Sequence, residues 1–346
     1  MPKPSPPPAP IDRKVTLGMV ARASGVSPAT VSRILNGTAV VSDDKRQAVD
    51  RAIAELGFVP NPIARGLAGG RTLSAGVVTQ SLDSPFYGVA LRGIEEELGR
   101  AGYLPLFVSG HWNAAEEQRC IDELCARRID GLIVLTGRLG NDELCRMAQS
   151  LPTVITGRTL AAPGLYALKF DDHEGARLAT EHLLALGHRQ IAFIAGDPSH
   201  PDAQERLLGY RSALQAAGVR YRAALVRPGS FFEESGRVAV ERLLASGEPF
   251  SAIFAANDQM AFGASLALFE RGLRVPDDVS LVGFDDLAGA AHAIPPLTTV
   301  HHPGHEIGRL AAACLLELLG GGVPTARLPA PSLVVRGSTR AAAAAG

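Results

Sequence analysis

The run from Gly25 to Asn36, Gly-Val-Ser-Pro-Ala-Thr-Val-Ser-Arg-Ile-Leu-Asn, is the feature that most constrains the fold of this chain. Gly25 supplies a tight turn, and Ser27 then caps a helix whose first position is Pro28, where a missing N–H costs nothing. Apolar residues between Leu17 and Ala21 recur at helical spacing and predict a preceding helix, capped by Thr16. Two short helices joined by a tight turn predict a helix-turn-helix.

The second predicted helix has an apolar side and a polar side. Val31, Ile34 and Leu35 share the buried stripe. The side chains off that stripe carry hydroxyl, guanidinium and amide groups, which read base edges and phosphates, or are small: Ala29, Thr30, Ser32, Arg33 and Asn36. A plain surface hairpin carries similar residues, which leaves that alternative open. A third helix, opened by Ser42 or Asp43 and closed by Gly57, weighs against it because three helices then share one core.

Several spaced segments of the N-terminal region resemble the headpiece of the LacI/GalR family of bacterial transcriptional repressors. They are Val15-Thr-Leu, Val20-Ala, Gly25-Val-Ser, Thr30-Val-Ser-Arg33, Asn36, Glu55-Leu-Gly-Phe-Val-Pro-Asn61 and Ala64-Arg-Gly-Leu67. The resemblance implies a homodimer on a palindromic double-stranded operator, with the second helices in successive major grooves. It also implies paired hinge helices that each push a leucine, here Leu67, into the minor groove and kink the DNA.

The resemblance therefore predicts a set of DNA-contacting residues, in which Pro28 and Ala29 stand where other members carry base-selecting polar side chains. The set is Thr16, Ser27, Pro28, Ala29, Thr30, Ser32, Arg33, Asn36, Asn61, Ala64, Arg65 and Leu67. Recognition then depends on Arg33, Thr30 and apolar contacts, and the preferred operator sequence stays open. The hinge helix is about one turn long, too short to persist unless it is held.

Charge is distributed unevenly along the 346 residues, whose formal net charge is −1. Residues 1–72 contain ten Lys and Arg against five Asp and Glu, a net +5, so the remainder carries −6. A basic N-terminal piece on an acidic body fits nucleic-acid binding by the first part. The length predicts a small domain plus a larger, two-lobed one.

The remaining bulk features indicate a cytoplasmic protein. The proline-rich start lacks the apolar core of a signal peptide and predicts a disordered tail. No stretch reaches the roughly 18 to 20 apolar residues of a membrane span. Cys120, Cys125, Cys145 and Cys314 have no metal-ligand spacing and predict reduced core or half-buried thiols.

From Leu73 onward, short apolar runs alternate with helices, the pattern of parallel sheets with crossover helices. Strands are predicted at 75–79, 104–108, 131–135 and 153–156 in a first lobe, and at 191–195, 223–226, 252–255 and 279–282 in a second. Helices are predicted near 174–186, 202–217, 235–246 and 259–271. The fold class is α/β: a three-helix helix-turn-helix headpiece plus a two-lobed core of doubly wound parallel sheets, with a ligand crevice at the strand ends.

The family resemblance extends through this core, which the family shares with periplasmic sugar-binding proteins. The segments that carry it are Asp83-Ser-Pro-Phe-Tyr87, Gly187-His, Arg206-Leu-Leu-Gly-Tyr210, Asn257-Asp-Gln-Met-Ala261, Gly283-Phe-Asp-Asp286 and Pro296-Leu-Thr-Thr299. It implies three crossings between lobes, which make a hinge. The expected domains are a disordered tail (1–14), a DNA-binding domain (15–60), a hinge helix and linker (61–72) and a core (73–340). Lobe 1 takes about 73–168 and 299–325, and lobe 2 about 169–298 and 326–340.

The predicted effector-binding residues follow strands and suit a sugar. Arg206 and Asn257 donate to hydroxyls, Asp285 accepts from two, and Phe231 stacks on a pyranose ring. The full set is Phe86, Tyr87, Arg158, Arg206, Phe231, Asn257 and Asp285. Helix capping by Asp285 and Asp286 and core packing of Phe86 and Tyr87 are the plainer alternatives. Gly157 replaces the Asn or Asp of other members and removes one expected hydrogen bond.

No catalytic constellation accompanies these motifs, so the chain is not expected to be an enzyme, and no cofactor is expected. His301, His302 and His305 have metal-like spacing without a local acidic or Cys partner, so a loop at a helix start is the plainer interpretation. Asp171-Asp-His173 is interpreted as a helix N-cap. Phosphate-loop, dinucleotide and nucleophile-elbow motifs are lacking.

The favoured function is a sequence-specific repressor whose operator affinity is controlled by a small effector, a carbohydrate, between the lobes. Regulation by a nucleobase, a sugar phosphate or a partner protein stays open because the fold alone does not select the effector. A stand-alone solute-binding protein is the rival that the helix-turn-helix disfavours. The chain after Val335 holds no leucine heptads, so a dimer is expected and not a tetramer.

Overall fold

The described residues of the N-terminal unit form three helices, as the sequence predicted: α1 (Leu17–Ser24), α2 (Pro28–Leu35) and α3 (Asp43–Leu56). Gly25 and Gly57 end α1 and α3 at φ of 67° and 62°, a left-handed conformation in which glycine avoids the Cβ clash. The Thr30 amide donates to Ser27 Oγ at 3.3 Å, which confirms Ser27 as the cap of α2.

The computed structural model describes residues 15–35, 41–58 and 71–343, and the chain divides into two units, Met1–Leu73 and Ser74–Gly346. A core of apolar side chains from all three helices holds the first unit together. Its buried members are Val20, Ala21, Val31, Val49, Ala52 and Phe58. The predicted tail, the hinge helix and the predicted contacts Asn36, Asn61, Ala64, Arg65 and Leu67 lie outside the described residues.

Two sheets build the second unit, each with helices on both faces. In lobe 1 the strand order is β2-β1-β3-β4-β5 and all pairs are parallel. Its elements are β1 (Ser74–Thr79), α4 (Pro85–Arg100), β2 (Leu104–Ser109), α5 (Ala114–Ala126), β3 (Gly131–Val134), α6 (Asn141–Ala148), β4 (Thr153–Thr156) and β5 (Leu165–Leu168).

Lobe 2 has the strand order β11-β10-β9-β8-β6-β7, parallel except for the β10–β11 pair. Its elements are α7 (Asp172–Ala185), β6 (Ile191–Ala195), α8 (Pro201–Ala216), β7 (Val226–Pro228), α9 (Glu233–Ala245), β8 (Ala252–Ala255), α10 (Asp258–Glu270), β9 (Ser280–Asp285), α11 (Ala288–His292), β10 (Thr298–His301) and β11 (Ser332–Val334).

The chain passes between the lobes after β5, after β10 and before β11. The returning helix, α12 (Gly304–Leu319), packs in lobe 1 against α4 through two glycines. A Cβ on Gly93 would lie 2.1 Å from the His305 carbonyl oxygen, and one on Gly308 would lie 1.9 Å from that of Ala90. Since β10 pairs with β9, the second crossing follows His301 and not residue 298, where the lobe boundary was expected.

The strands and helices predicted for the core agree with the structure except at 223–226. Ala223–Leu225 is a 3₁₀ turn that leads into β7, because four apolar residues in a row fit a turn as well as a strand. The sequence analysis missed β5 and β10. Each spans only four residues, and β10, Thr-Thr-Val-His, is largely polar in sequence.

Candidate effector-binding crevice

A cavity of about 390 Å³ lies between the lobes, at the carboxyl ends of the strands of both sheets. Lobe 1 contributes Ser81, Ser84, Phe86, Tyr87, Trp112 and Arg138 to its lining. Lobe 2 contributes Asp197, His200, Asp202, Arg206, Phe231, Asn257 and Asp285, among others, and His302 comes from the crossing after β10. Aromatic rings beside buried polar groups are the composition of a small-molecule site.

Arg206 is the polar anchor of the lobe 2 wall and is only 4% exposed. Its Nε and Nη2 both lie 2.8 Å from Asp172 Oδ1, and Nη1 donates to the Ala256 carbonyl at 2.6 Å. The guanidinium also lies over the Phe284 ring, 3.7 Å from its centroid. These contacts compensate its charge and fix the group in one orientation beside the cavity.

Asp285 ends β9 with a φ of +117°, a strained backbone value that is typical of functional positions. One carboxylate oxygen, Oδ1, lies 3.7 Å from Arg206 Nη1 and 3.4 Å from His302 Nδ1. The His302 ring in turn packs between the rings of Phe86 and Phe170, at centroid distances of 4.6 and 4.2 Å. The Asp285 carboxylate is therefore buried and held by a cation and an imidazole.

Asn257 and Phe231 are fixed to each other. The Asn257 Oδ1 caps α10 by accepting from the Met260 amide at 2.9 Å, and its Nδ2 donates to the Phe231 carbonyl at 2.8 Å. Phe231 has a φ of +68°, which this carbonyl contact helps to hold. The amide therefore places the ring that the sequence analysis selected for stacking.

Two buried polar side chains, Gln80 and Glu117, hold the loops of the lobe 1 wall. Gln80, 1% exposed, accepts from the Trp112 amide and donates to the Thr136 carbonyl, both at 2.9 Å. Glu117, fully buried, accepts from the amides of Arg138 and Leu139 at 2.8 to 3.0 Å. Desolvation raises the pKa of the Glu117 carboxyl, although both amides oppose the shift. These hydrogen bonds of Gln80 and Glu117 position the side chains of Trp112 and Arg138 at the mouth of the crevice.

These two side chains meet lobe 2 across the mouth. The Trp112 ring stacks on the His200 ring, which is nearly parallel to the Phe231 ring at 5.4 Å. Arg138 donates to the Ser199 carbonyl at 3.2 Å and to the Ser199 hydroxyl. Burial lowers the pKa of His200 to about 4, so its ring is neutral at physiological pH. We name these four residues, Trp112, Arg138, Ser199 and His200, the clasp.

The headpiece presents its predicted DNA-contacting side chains to solvent. Thr16, Ser27, Pro28, Ala29 and Arg33 are exposed, whereas Thr30 and Ser32 are half-buried on the same helix. The Arg33 Nε lies 3.4 Å from the Ala29 carbonyl, one turn earlier. Val31 packs into the three-helix core on the opposite side. The polar face of α2 is therefore available to a DNA groove, as a recognition helix requires.

Comparison with known proteins decides the family. Residues 16–61 match the model of bacterial regulatory proteins of the lacI family, and residues 180–339 match a periplasmic binding protein-like domain. The HTH-type transcriptional regulator CelR of Thermobifida fusca is 38% identical over 318 residues, which cover 89% of this chain and 93% of CelR. The chain belongs to the LacI family of bacterial regulatory proteins.

Solved structures agree with this assignment. A lac repressor dimer bound to operator and an anti-inducer matches with a TM-score of 0.86 at 33% identity, over 95% of this chain and 100% of that one. A CelR–cellobiose complex matches with a TM-score of 0.69 at 37% identity, over 94% and 99%. The fold class and the family resemblance are confirmed, and this LacI-family chain is a DNA-binding transcription regulator, not an enzyme.

Six of the seven predicted effector residues of this LacI-family chain line the cavity: Phe86, Tyr87, Arg206, Phe231, Asn257 and Asp285. Arg158 does not line it. Its guanidinium donates to the Leu139 carbonyl at 2.7 Å, to Asn141 and to the Gly137 carbonyl, so it holds the loop that carries Arg138. That the six lining residues bind an effector stays a prediction.

Gly157 lines a small pocket beside the crevice, and its surroundings explain why a glycine stands at this position. Its φ is +76°, and an added Cβ would lie 2.7 Å from Thr136 Oγ1. The Thr136 hydroxyl therefore occupies the space that a larger residue would need. The effect of Gly157 on ligand binding stays a prediction.

Sequence reasoning missed Trp112, His200, Asp202 and His302 as lining residues, and it missed the structural role of Asp172. Asp171 does cap α7, accepting from the Glu174 amide at 2.9 Å, whereas Asp172 is the buried partner of Arg206. Among the residues that the structure describes, no group of three His, Cys, Asp or Glu is placed to hold a metal ion. No helix in the described ranges is long and apolar enough to span a membrane.

Proposed function

We propose that this regulator binds operator DNA as a homodimer in the bacterial cytoplasm, and that a sugar bound in the crevice controls its operator affinity. The observation that carries the proposal is the pairing of fixed polar groups with aromatic faces in one cavity. Arg206 and Asp285 present donors and an acceptor to hydroxyls, and the Phe231 ring offers an apolar face to a sugar ring. The similarity to CelR, whose structure holds cellobiose, supports the same ligand class.

The proposed control depends on the hinge between the lobes. A sugar that bridges Arg206 and Asp285 in lobe 2 to Phe86 in lobe 1 stabilises one rotation of the lobes. The paired hinge helices of the dimer form only when the two first lobes are correctly spaced, since one helical turn is not stable alone. The sugar then acts as an inducer by disfavouring the operator-bound state.

A thermal-shift screen of the purified full-length protein tests the sugar assignment. Neutral mono- and disaccharides, with cellobiose, glucose and galactose first, are compared with sugar phosphates and nucleobases. A sugar present at about 100 times its dissociation constant adds about 2.7 kcal/mol of stability and raises the melting temperature. A shift caused by nucleobases and by no carbohydrate of the panel would reject a sugar effector.

The Asp285→Ala variant tests whether the sugar-induced thermal shift arises from binding in the crevice. It removes the acceptor of the lobe 2 wall, so we expect loss of the sugar-induced shift with retention of DNA binding by the headpiece. Glu116→Ala, in the first turn of α5 outside the cavity lining, serves as the control and keeps the shift. A sugar response that persists unchanged in Asp285→Ala would place the effector elsewhere.

A further inference from the structure

The first turn of a helix beside the crevice carries a carboxyl group. Helix α8 begins at Pro201 beside the cavity, and Asp202 is the acidic residue of its first turn. Free N–H groups and the helix dipole make such a terminus a ready anion site. Here the first turn of α8 carries a negative group of the protein's own, Asp202.

Of the two guanidinium groups that line the cavity, that of Arg206 is paired with carboxylates, whereas that of Arg138 donates to neutral acceptors. Arg206 lies against Asp172 at 2.8 Å and near Asp285 at 3.7 Å. Arg138 donates to Ser199, whose own amide and hydroxyl donate to Asp197. An anion that enters this cavity therefore finds the charge of Arg206 already compensated by two carboxylates.

The carboxyl of Asp202 shares the cavity lining with two other carboxylates, Asp197 and Asp285. Asp172 and Asp285 repel its charged form, whereas Arg206 and Lys169 attract it. Lys169 is itself paired with Glu205 at 3.2 Å. Desolvation, followed by Asp172, raises the pKa of Asp202 to about 7.

We propose that the crevice selects an uncharged, hydroxyl-rich sugar and excludes phosphorylated sugars, with Asp202 as the residue that sets this selectivity. The inference rests on the proposed function, since it names the class of sugar that the same site takes. A hydroxyl donates to a carboxylate, whereas a phosphate dianion is repelled by one, so a single side chain serves both recognition and exclusion. The charge of the ligand therefore decides between a neutral sugar and a sugar phosphate as the effector.

The test compares matched probes by calorimetry at about pH 8, where Asp202 is ionised: glucose against glucose 6-phosphate, and cellobiose against cellobiose 6-phosphate. We expect the neutral member of a pair to bind at least about tenfold more tightly, which corresponds to about 1.4 kcal/mol. Equal or tighter binding of the phosphate overturns the inference and leaves sugar control intact. Binding of neither member of either pair overturns the inference and removes the support for these sugars as effectors.

The Asp202→Asn variant tests the assigned residue. It keeps the size of the side chain and removes its charge, so the preference for the neutral probe should fall by about tenfold or more. Asp142→Asn removes an acidic residue from the first turn of α6, which does not line the crevice, and should keep the wild-type ratio. Thermal unfolding confirms that both variants are folded. An unchanged ratio in folded Asp202→Asn would show that Asp202 does not set the selectivity.

Discussion

The Trp112 indole lies face to face with the His200 imidazole, with ring centroids 3.6 Å apart and 19° between the planes. The two rings belong to different lobes, so this contact closes the crevice at its mouth. Trp112 is the single tryptophan of the chain, which makes its emission a specific reporter of the clasp. A ligand that changes the lobe rotation should change that emission.

The first prediction concerns the pH dependence of this emission. Since the pKa of His200 is lowered to about 4, the imidazole stays neutral from pH 8 to pH 5 and should not alter Trp112 fluorescence there. An unperturbed histidine would titrate near pH 6.5 in that interval. The His200→Phe variant keeps an aromatic partner without a titrating group, and its pH profile should match the wild type. A transition near pH 6.5 in the wild type alone would contradict the assignment.

The second prediction tests the return of α12 to lobe 1. Gly93→Ala places a methyl group 2.1 Å from the His305 carbonyl oxygen, so α4 and α12 must separate. We expect a loss of about 1 to 3 kcal/mol in the free energy of unfolding, measured by urea titration. Gly88→Ala, in the same helix with open space around it, should be neutral or stabilising by up to about 1 kcal/mol. Equal stabilities of the two variants would rule out this helix contact.

The third prediction concerns Asp202 and protein stability. Its pKa is raised to about 7 in the folded protein, against about 3.9 in an unfolded chain. The folded state therefore binds this proton more tightly, and the contribution of Asp202 to stability falls as the pH rises from about 4 to about 7. Asp202→Asn should raise the melting temperature more at pH 8 than at pH 5.

Asp197→Asn is the matched control for that experiment. The Ser199 hydroxyl, with its amide, lowers the pKa of Asp197, so this carboxylate is ionised at both pH values. Its replacement should change the melting temperature equally at pH 5 and pH 8. A pH-dependent effect of Asp197→Asn as large as that of Asp202→Asn would reject the assigned origin of the pH dependence.

The fourth prediction concerns the recognition helix. Arg33→Ala should weaken binding to an operator selected from random duplexes by about 1 to 3 kcal/mol, because Arg33 is predicted to contact a base or a phosphate. Arg22→Ala, an exposed arginine at the end of α1 outside the predicted contact set, should change the affinity much less. Fluorescence anisotropy at fixed salt measures both. Equal effects of the two variants would remove Arg33 from the specific interface.

The parts that the sequence predicted are those that local patterns determine. Buried runs such as Ile191–Ala195 and Ala252–Ala255 are apolar throughout because both faces of the sheet are covered. The headpiece helices follow from capping residues and apolar spacing in one short segment. Arg206 and Asp285 were found because motifs place them, and the structure explains their geometry through Asp172 and a φ of +117°.

The parts that the sequence did not predict depend on the approach of the two lobes. Trp112 and His200 are 88 positions apart in the sequence, in polar loops whose local composition gives no periodic signal. Their rings come together only when the two lobes pack, so local sequence patterns could not predict the clasp. Arg158 is the opposite case. The sequence predicted it as a lining residue next to Gly157, but its side chain donates to backbone carbonyls instead.

The most direct test of the central claim is to titrate the sugar identified in the screen into the protein with and without its selected operator, by calorimetry at fixed salt. Because coupling between two sites is reciprocal, we predict that operator weakens sugar binding by about 5- to 150-fold, or about 1 to 3 kcal/mol. The sugar should weaken operator binding by the same factor. Sugar affinity that is unchanged by operator would contradict control of DNA binding through this crevice.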